Sequence, residues 1–301
     1  VQENNKDWIT GVYSKNPDAK EALEARAKTG EAMHDFKLSG CNLEDIDLVH
    51  HRSKVGYSLT DADLYRSNMR YAHCFMLDLS GSSLMKADLS HANLHCANLE
   101  NCNLLGTKFN DAKLDHVTWG DKVQQEKRAI SSDNHEEQMD LYQQAEEIYR
   151  NLRKVFENQG IFEMAGFFFE REMVVRRKQM PKYSFKRLIS KLVDLFCGYG
   201  EQPIRVVAFS CSIIFGFAIT YFFSGISFAG EQLSFQAQAS FNSNLITFLD
   251  SIYFSIVTFT TLGYGDITPQ GISRIFAALE ALIGSFTLAL FVVVFVKKMT
   301  R

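Results

Sequence analysis

From Leu59 to Trp119 one residue in five is large and apolar without a break: Leu59, Leu64, Met69, Cys74, Leu79, Leu84, Leu89, Leu94, Leu99, Leu104, Phe109, Leu114 and Trp119. A usually smaller residue stands two places before, as at Ala62, Ser67, Ala72, Ser82, Ala87, Ala92, Ala97, Cys102, Thr107 and Ala112. Asp63, Asn68, Asp78, Asp88, Asn93, Asn98 and Asn103 fall between the two. A period of five fits neither the helix nor the strand, whose repeats are about 3.6 and 2 residues. Sustained over this length, it calls for coils of chain stacked on one another. Leu38, Leu43 and Leu48 keep the beat upstream, and the longer step from Leu48 to Leu59 reads as one inserted residue at a bulged corner.

The pattern A-[DN]-L-x-x resembles the pentapeptide-repeat family. That resemblance implies a right-handed quadrilateral β-helix over residues 34–120, with four repeats to a coil. The Leu and the small residue would point inward, and the Asn or Asp would bond to corner backbone. About four coils at a strand spacing of about 4.8 Å make a rod on the order of 20 Å tall. Some members of that family are described as DNA mimics, which requires an acidic surface. Here Lys37, Arg52, Lys54, Arg66, Arg70, Lys86, Lys108 and Lys113 nearly balance the acids, so no nucleic-acid partner is expected. A scaffold, sensor or docking surface for a cytoplasmic protein or ligand fits better. His91, His95 and Cys96 offer metal-ligating atoms, but they also fit ordinary surface and core positions of the repeat, which is the preferred reading.

The bulk numbers hide an asymmetry. The 301 residues have a net charge of -3 and a mean hydropathy of -0.12. Yet residues 1–200 carry nearly all the charge and all eight His, while residues 203–301 are dominated by Phe, Ile, Leu, Val, Ala and Ser. A soluble portion joined to a membrane portion is expected. The start "VQENNKDW" has no apolar run of a signal peptide. The six Cys form no CxxC pair and read as free thiols in a reducing compartment.

Residues 1–33 are expected to form a helical cap on the open coil, as solenoid ends require. Residues 135–180 read as a helical hairpin. Leu141, Ala145, Ile148, Leu152 and Phe156 give its first helix one apolar face, Gly160 ends that helix, and Pro181 ends the second. One helix pair cannot bury its own face, so it should pack on the coils or on a neighbouring subunit. Residues 181–200 follow, with Lys182, Lys186, Arg187 and Lys191 alternating with apolar positions at helical spacing. This reads as a basic amphipathic helix at a membrane interface.

Residues 203–301 read as a two-span unit, with span one at 204–228 and span two at 272–297. Each has room for the about 20 apolar residues that cross a bilayer. Basic residues flank the start of span one and, as Lys297, Lys298 and Arg301, the end of span two; the loop "SGISFAGEQLSFQAQASFNSN" between them holds one acid and no base. The positive-inside rule places both termini in the cytoplasm. Between the spans, "LITFLDSIYFSIVTFTTLGYGD" has an apolar part too short to cross, with Ser243 or Asn244 available as a cap and a helix end expected at Thr261. It must return to the side it entered. Non-helical backbone at that depth is tolerable only where it lines a water- or ion-filled path. Residues 245–266 are therefore expected to be a pore helix and a re-entrant loop.

Thr261-Leu262-Gly263-Tyr264-Gly265 resembles the selectivity filter of two-span potassium channels. The resemblance implies K⁺ sites on the carbonyls of Thr261, Leu262, Gly263 and Tyr264, with the Thr261 hydroxyl, supported by Thr260 and Asp266. One filter segment per chain then requires a C4 homotetramer surrounded by membrane lipid, with no cofactor other than the permeant K⁺. Leu262 stands where Val is commonest, with its side chain facing away from the ions. By the same resemblance Gly284 is a gating hinge, with close helix packing as its plainer role. Phe291 and Phe295 are candidates for a hydrophobic gate. Glu280 is costly within a bilayer and is expected to support the filter through Tyr253, Thr258 or backbone.

The fold class expected is thus a multidomain membrane protein in a bacterial inner membrane: a cytoplasmic β-helix, a helical linker and an all-α channel pore. No Arg series suits a voltage sensor, and no nucleophile–base pair or phosphate loop suggests an enzyme. The competing readings are a less selective cation channel and a membrane-anchored scaffold with a vestigial pore.

Overall fold

A computed structural model describes residues 18–51, 53 and 55–299 of the chain. The first part of the expected cap (1–17) and Arg52, Lys54 and Arg301 lie outside the described residues. The chain divides between Arg187 and Leu188 into two units.

In the first unit, parallel bridges link Ser58 to Asp78, Asp63 to Ser83, Asn68 to Asp88, and so on to Asn98 with Thr118. Partners are twenty residues apart, so four five-residue repeats bring the chain back over itself. From Leu64 onward the corners are turns closed by a bond such as Ser67 N–H to the Leu64 carbonyl (3.1 Å) or Ala72 N–H to Met69 (3.2 Å). The third residue of these turns has positive φ, as at Arg66 (53°), Tyr71 (60°) and Met76 (57°), which is the type II pattern. Left-handed backbone is unfavourable for residues with a side chain. It is held here by the ladder on both sides and by the preceding Asx residue. Asp63 Oδ1 accepts from Tyr65 N–H (3.1 Å), and Asn68, Asp78, Asp88, Asn93, Asn98 and Asn103 repeat that bond two residues on. Every fifth residue from Leu59 to Phe109 and its small neighbours lie in one buried core.

The first coil differs from expectation. Its bridges pair Lys37 with Asp63, Asn42 with Asn68 and Asp47 with His73, and strands β1 (Met33–His34) and β2 (Leu59–Thr60) pair Met33 with Leu59. These partners are 26 residues apart. The step from Leu48 to Leu59 is therefore one repeat plus a six-residue excursion, not two repeats plus one bulged residue. A five-residue beat cannot separate the two, because both restore the phase at Leu59. The excursion returns at Gly56, where a Cβ would lie 1.8 Å from the Met76 carbonyl oxygen, and His50 stacks on Tyr57 at 4.5 Å.

Helix α1 (Ala19–Lys28) turns Ala19, Leu23 and Ala27 into the same core, at the amino end of the coils. At the other end α2 (Gln124–Ser131), which the sequence pattern did not reveal, precedes α3 (His135–Asn158) and α4 (Phe162–Lys178). The α3–α4 hairpin packs on the coils. Trp119 meets Phe156 and Phe168 edge-on (5.9 and 5.7 Å), while Asn151 and Gln159 donate to the carbonyls of Thr107 and Ala112 (each 2.8 Å). Buried Glu172 ties the hairpin by accepting from Arg150 (3.1 Å) and Arg153 (2.9 Å). Buried Glu126 of α2 accepts from Tyr149 (2.7 Å) and Lys178 (3.0 Å).

Helix α5 (Phe185–Cys197) exposes Phe185, Leu188, Ile189, Leu192 and Leu195. In the second unit α6 (Pro203–Ser224) and α8 (Ser273–Met299) are long and apolar enough to cross a membrane, with mean hydropathies of 2.1 and 2.4. Only 17 % and 22 % of their most apolar stretches are buried, so most of that surface is left for lipid or other chains. Span one ends earlier than expected. Gly225 (φ 86°) breaks α6, and the next residues form β3 (Ile226–Phe228) instead of helix. Strand β3 sits between β4 (Glu231–Leu233) and β5 (Ile267–Pro269), antiparallel to both.

Candidate pore segment

Helix α7 (Phe241–Phe259) lies between the spans. Its cap is Ser240, whose hydroxyl accepts from Ser243 N–H (3.3 Å); neither Ser243 nor Asn244 caps it, and it stops at Phe259 rather than Thr261. The end comes from the chain itself. Leu262 N–H turns back to the Val257 carbonyl (3.0 Å), and Thr261 takes positive φ (58°). A β-branched residue in that region costs on the order of 1–3 kcal/mol and marks a place where surrounding structure imposes the conformation.

Gly263 (φ 56°) and Gly265 (φ 78°) continue the alternation, while Leu262 and Tyr264 are not left-handed. Alternating handedness keeps successive backbone groups aimed to one side. The segment from Thr261 to Asp266 is exposed, and a Cβ on Gly263 or Gly265 would meet nothing within 4 Å. What requires glycine there is backbone conformation, not crowding. Of the expected supports, Asp266 accepts from Tyr253 on α7 (2.8 Å), which ties the far end of the loop to the short helix. Thr260 bonds its hydroxyl to the Ile256 carbonyl (2.7 Å), at the end of α7 where the loop begins.

Glu280 has no exposed surface. Neither Tyr253 nor Thr258 is its partner, contrary to the sequence reading. Tyr221 of α6 donates to Glu280 Oε2 (2.6 Å), and the Ser255 hydroxyl of α7 lies 2.5 Å from Oε1 and 2.8 Å from the Ile214 carbonyl. The reason is helical phase. Ser251 and Ser255 lie on the buried face of α7, whereas Tyr253 lies on its exposed face and reaches Asp266. One carboxyl group thus joins α6, α7 and α8.

Gly284 lies where α8 crosses the end of α7. A Cβ there would stand 2.0 Å from the Phe259 carbonyl oxygen, and α8 is continuous through it. Phe291 and Phe295 stack at 5.6 Å. Phe295 is exposed, but Phe291 packs partly against Cys197, Val206 and Val294. Beside that cluster Lys297 pairs with Glu201 (2.5 Å) and Arg205 with Asp194 (3.1 Å). These pairs fasten the end of α8 and the start of α6 to the α5 corner. On the coils, His91 and His95 stack on Tyr71 and Phe75 (4.9 and 5.6 Å). Among the described residues no three metal-capable side chains cluster.

Comparison with known proteins agrees with this division. Residues 208–301 match the family described as ion channel, and residues 82–118 match pentapeptide repeats in eight copies. Protein LctB of Geobacillus stearothermophilus is 36% identical over 74 residues, which is 24% of this chain and 54% of that protein. Protein LctB of Bacillus caldotenax is 32% identical over 80 residues, 26% of this chain and 58% of that protein. The chain thus spans a little over half the length of the curated relatives it matches. Among solved structures, HetL, a pentapeptide repeat protein involved in heterocyst differentiation regulation from Nostoc, is 32% identical over 29% of this chain and 38% of its own, with a TM-score of 0.27. The chain carries a C-terminal ion-channel domain and N-terminal pentapeptide repeats.

Proposed function

We propose that the chain forms a potassium-selective channel as a C4 homotetramer in a bacterial inner membrane, with both termini cytoplasmic. The observation that carries this reading is the exposed loop at 261–266. Left-handed backbone alternates along it at Thr261, Gly263 and Gly265, between two membrane-grade helices. Four such loops around an axis make a ring of carbonyls able to replace the hydration shell of K⁺. The sites are the carbonyls of Thr261, Leu262, Gly263 and Tyr264 with the Thr261 hydroxyl. Asp266 and Glu280 hold the loop and the short helix in place.

In this reading residues 241–266 are a re-entrant pore loop, and Phe291 with Phe295 constrict the cytoplasmic mouth. Gly284 serves as hinge as well as packing point, and α5 lies at the lipid interface. The repeats form a right-handed four-sided β-helix that regulates or assembles the pore. The test is potassium flux through purified protein in liposomes, with sodium as competitor and barium as blocker. Barium-sensitive flux preferring K⁺ is expected. A folded tetramer that passes Na⁺ and K⁺ alike would defeat the selectivity claim.

A further inference from the structure

A cavity of about 900 Å³ opens between the start of α3, the end of α4 and the turn into α5. Its size is that of a small-molecule site. All its lining residues belong to the first unit. Lys178, Lys182 and Arg187 line it against a single acid, Asp133. Lys178 is already met by buried Glu126 (3.0 Å). Lys182 makes no ion pair among the described residues. Arg187 bonds the Met180 carbonyl (2.8 Å) through one nitrogen and pairs with no carboxylate among the described residues. Its remaining guanidinium donors are available in the fork that suits phosphate oxygens. Met139, Met180 and Pro181 supply apolar wall.

We propose that this cavity binds a phosphate-bearing small anion, held by Lys182 and Arg187. Such a ligand would link the start of α3 to the turn at 179–184, the covalent joint between the α3–α4 hairpin and α5. The binding claim stands without the channel reading and is tested by binding alone; control of the pore by that joint would rest on the channel reading.

The experiment is calorimetric titration of full-length protein in detergent, in two arms. One uses inorganic pyrophosphate, for a free phosphate source; the other uses dioctanoyl phosphatidylglycerol, for a lipid headgroup. Saturable binding in one arm identifies the source. Lys182→Gln with Arg187→Gln should weaken it by about tenfold or more, as loss of charge-assisted bonds implies. Lys154→Gln, which removes an exposed cation elsewhere on α3, should leave it unchanged. Should the double variant melt early, the single Lys182→Gln change at an exposed position must still weaken binding. Failure of both arms to saturate, or equal weakening by Lys154→Gln, would overturn the site in favour of diffuse attraction to a basic surface.

Discussion

At the scale of single residues, Gly284 and Glu280 do related work: both fix α8 against α7, the short helix that leads into the exposed 261–266 loop. Gly284 does so by having no side chain, since a Cβ would occupy the place of the Phe259 carbonyl oxygen. Gly284→Ala must push α8 off the end of α7, at a cost of about 1–3 kcal/mol. A lowered thermal midpoint and reduced flux are expected together. A variant that kept its thermal midpoint and changed only open probability would assign Gly284 to hinging alone. Glu280→Ala removes the acceptor of the buried Tyr221 hydroxyl and one of the two acceptors within reach of the Ser255 hydroxyl, which keeps the Ile214 carbonyl, at about 1–3 kcal/mol. Tyr221→Phe removes one of those donors, so the double variant should be less destabilised than the sum of the singles. Additive losses would mean that the bond contributes nothing. In the repeats, burial foremost, with a nearby aspartate in each case, pushes the thiols of Cys74 and Cys102 up to about 12. Both should resist alkylation at neutral pH until the chain unfolds, while half-buried Cys96 reacts in the native state. Native labelling of Cys102, read by mass spectrometry, would show the coils to be looser than described.

At the scale of elements, legibility followed periodicity. The repeats could be read because the large apolar position on the core face recurs thirteen times between Leu59 and Trp119. The spans could be read because length and apolar content are enough to announce them. What stayed hidden was either too short or set by partners distant in sequence. Strands β3, β4 and β5 have three residues each and exist only because they pair with one another. Helix α2 has eight residues, and its buried Gln125 and Glu126 make sense only beside Asn103, Tyr149 and Lys178. The glycine-alternating motif at 261–265 stood out in the sequence, whereas the partners of Glu280 depended on which face of α7 turns inward. The corner joining α5, α6 and α8 was equally hidden, since Glu201 and Lys297 are 96 residues apart. Their pairing carries a prediction. Glu201→Gln or Lys297→Gln should loosen the end of α8 and alter flux. The exchange Glu201→Lys with Lys297→Glu should restore most of the wild-type behaviour, because the attraction survives reversal. No recovery in the exchange would show that the attraction between the two charges is incidental to the corner.

At the scale of the whole molecule, the two units have separate cores. The large buried cluster from Ala19 to Val175 lies wholly before Arg187, and the clusters around Tyr221 and Val294 lie wholly after it. Solenoid coils bury a continuous core by stacking, and their ends need covering. Here α1 covers one end, while Trp119 with Phe156 and Phe168 of the α3–α4 hairpin seals the other. The first unit therefore contains everything its own core requires. Residues 1–180 expressed alone should be soluble and unfold in one cooperative transition, with near-ultraviolet circular dichroism from the Trp119 cluster vanishing together with the far-ultraviolet signal. Trp119→Ala should lower that midpoint, because replacing a buried aromatic costs about 3–5 kcal/mol. It should leave barium-sensitive flux of the full chain measurable at temperatures below the new midpoint. If residues 1–180 aggregated or melted without cooperativity, the repeats would depend on the second unit for their fold. A regulatory role could not then be separated from a structural one by truncation. If they fold alone, truncation becomes a clean test: any change in flux on removing residues 1–180 reports control of a pore that does not need them for its own core.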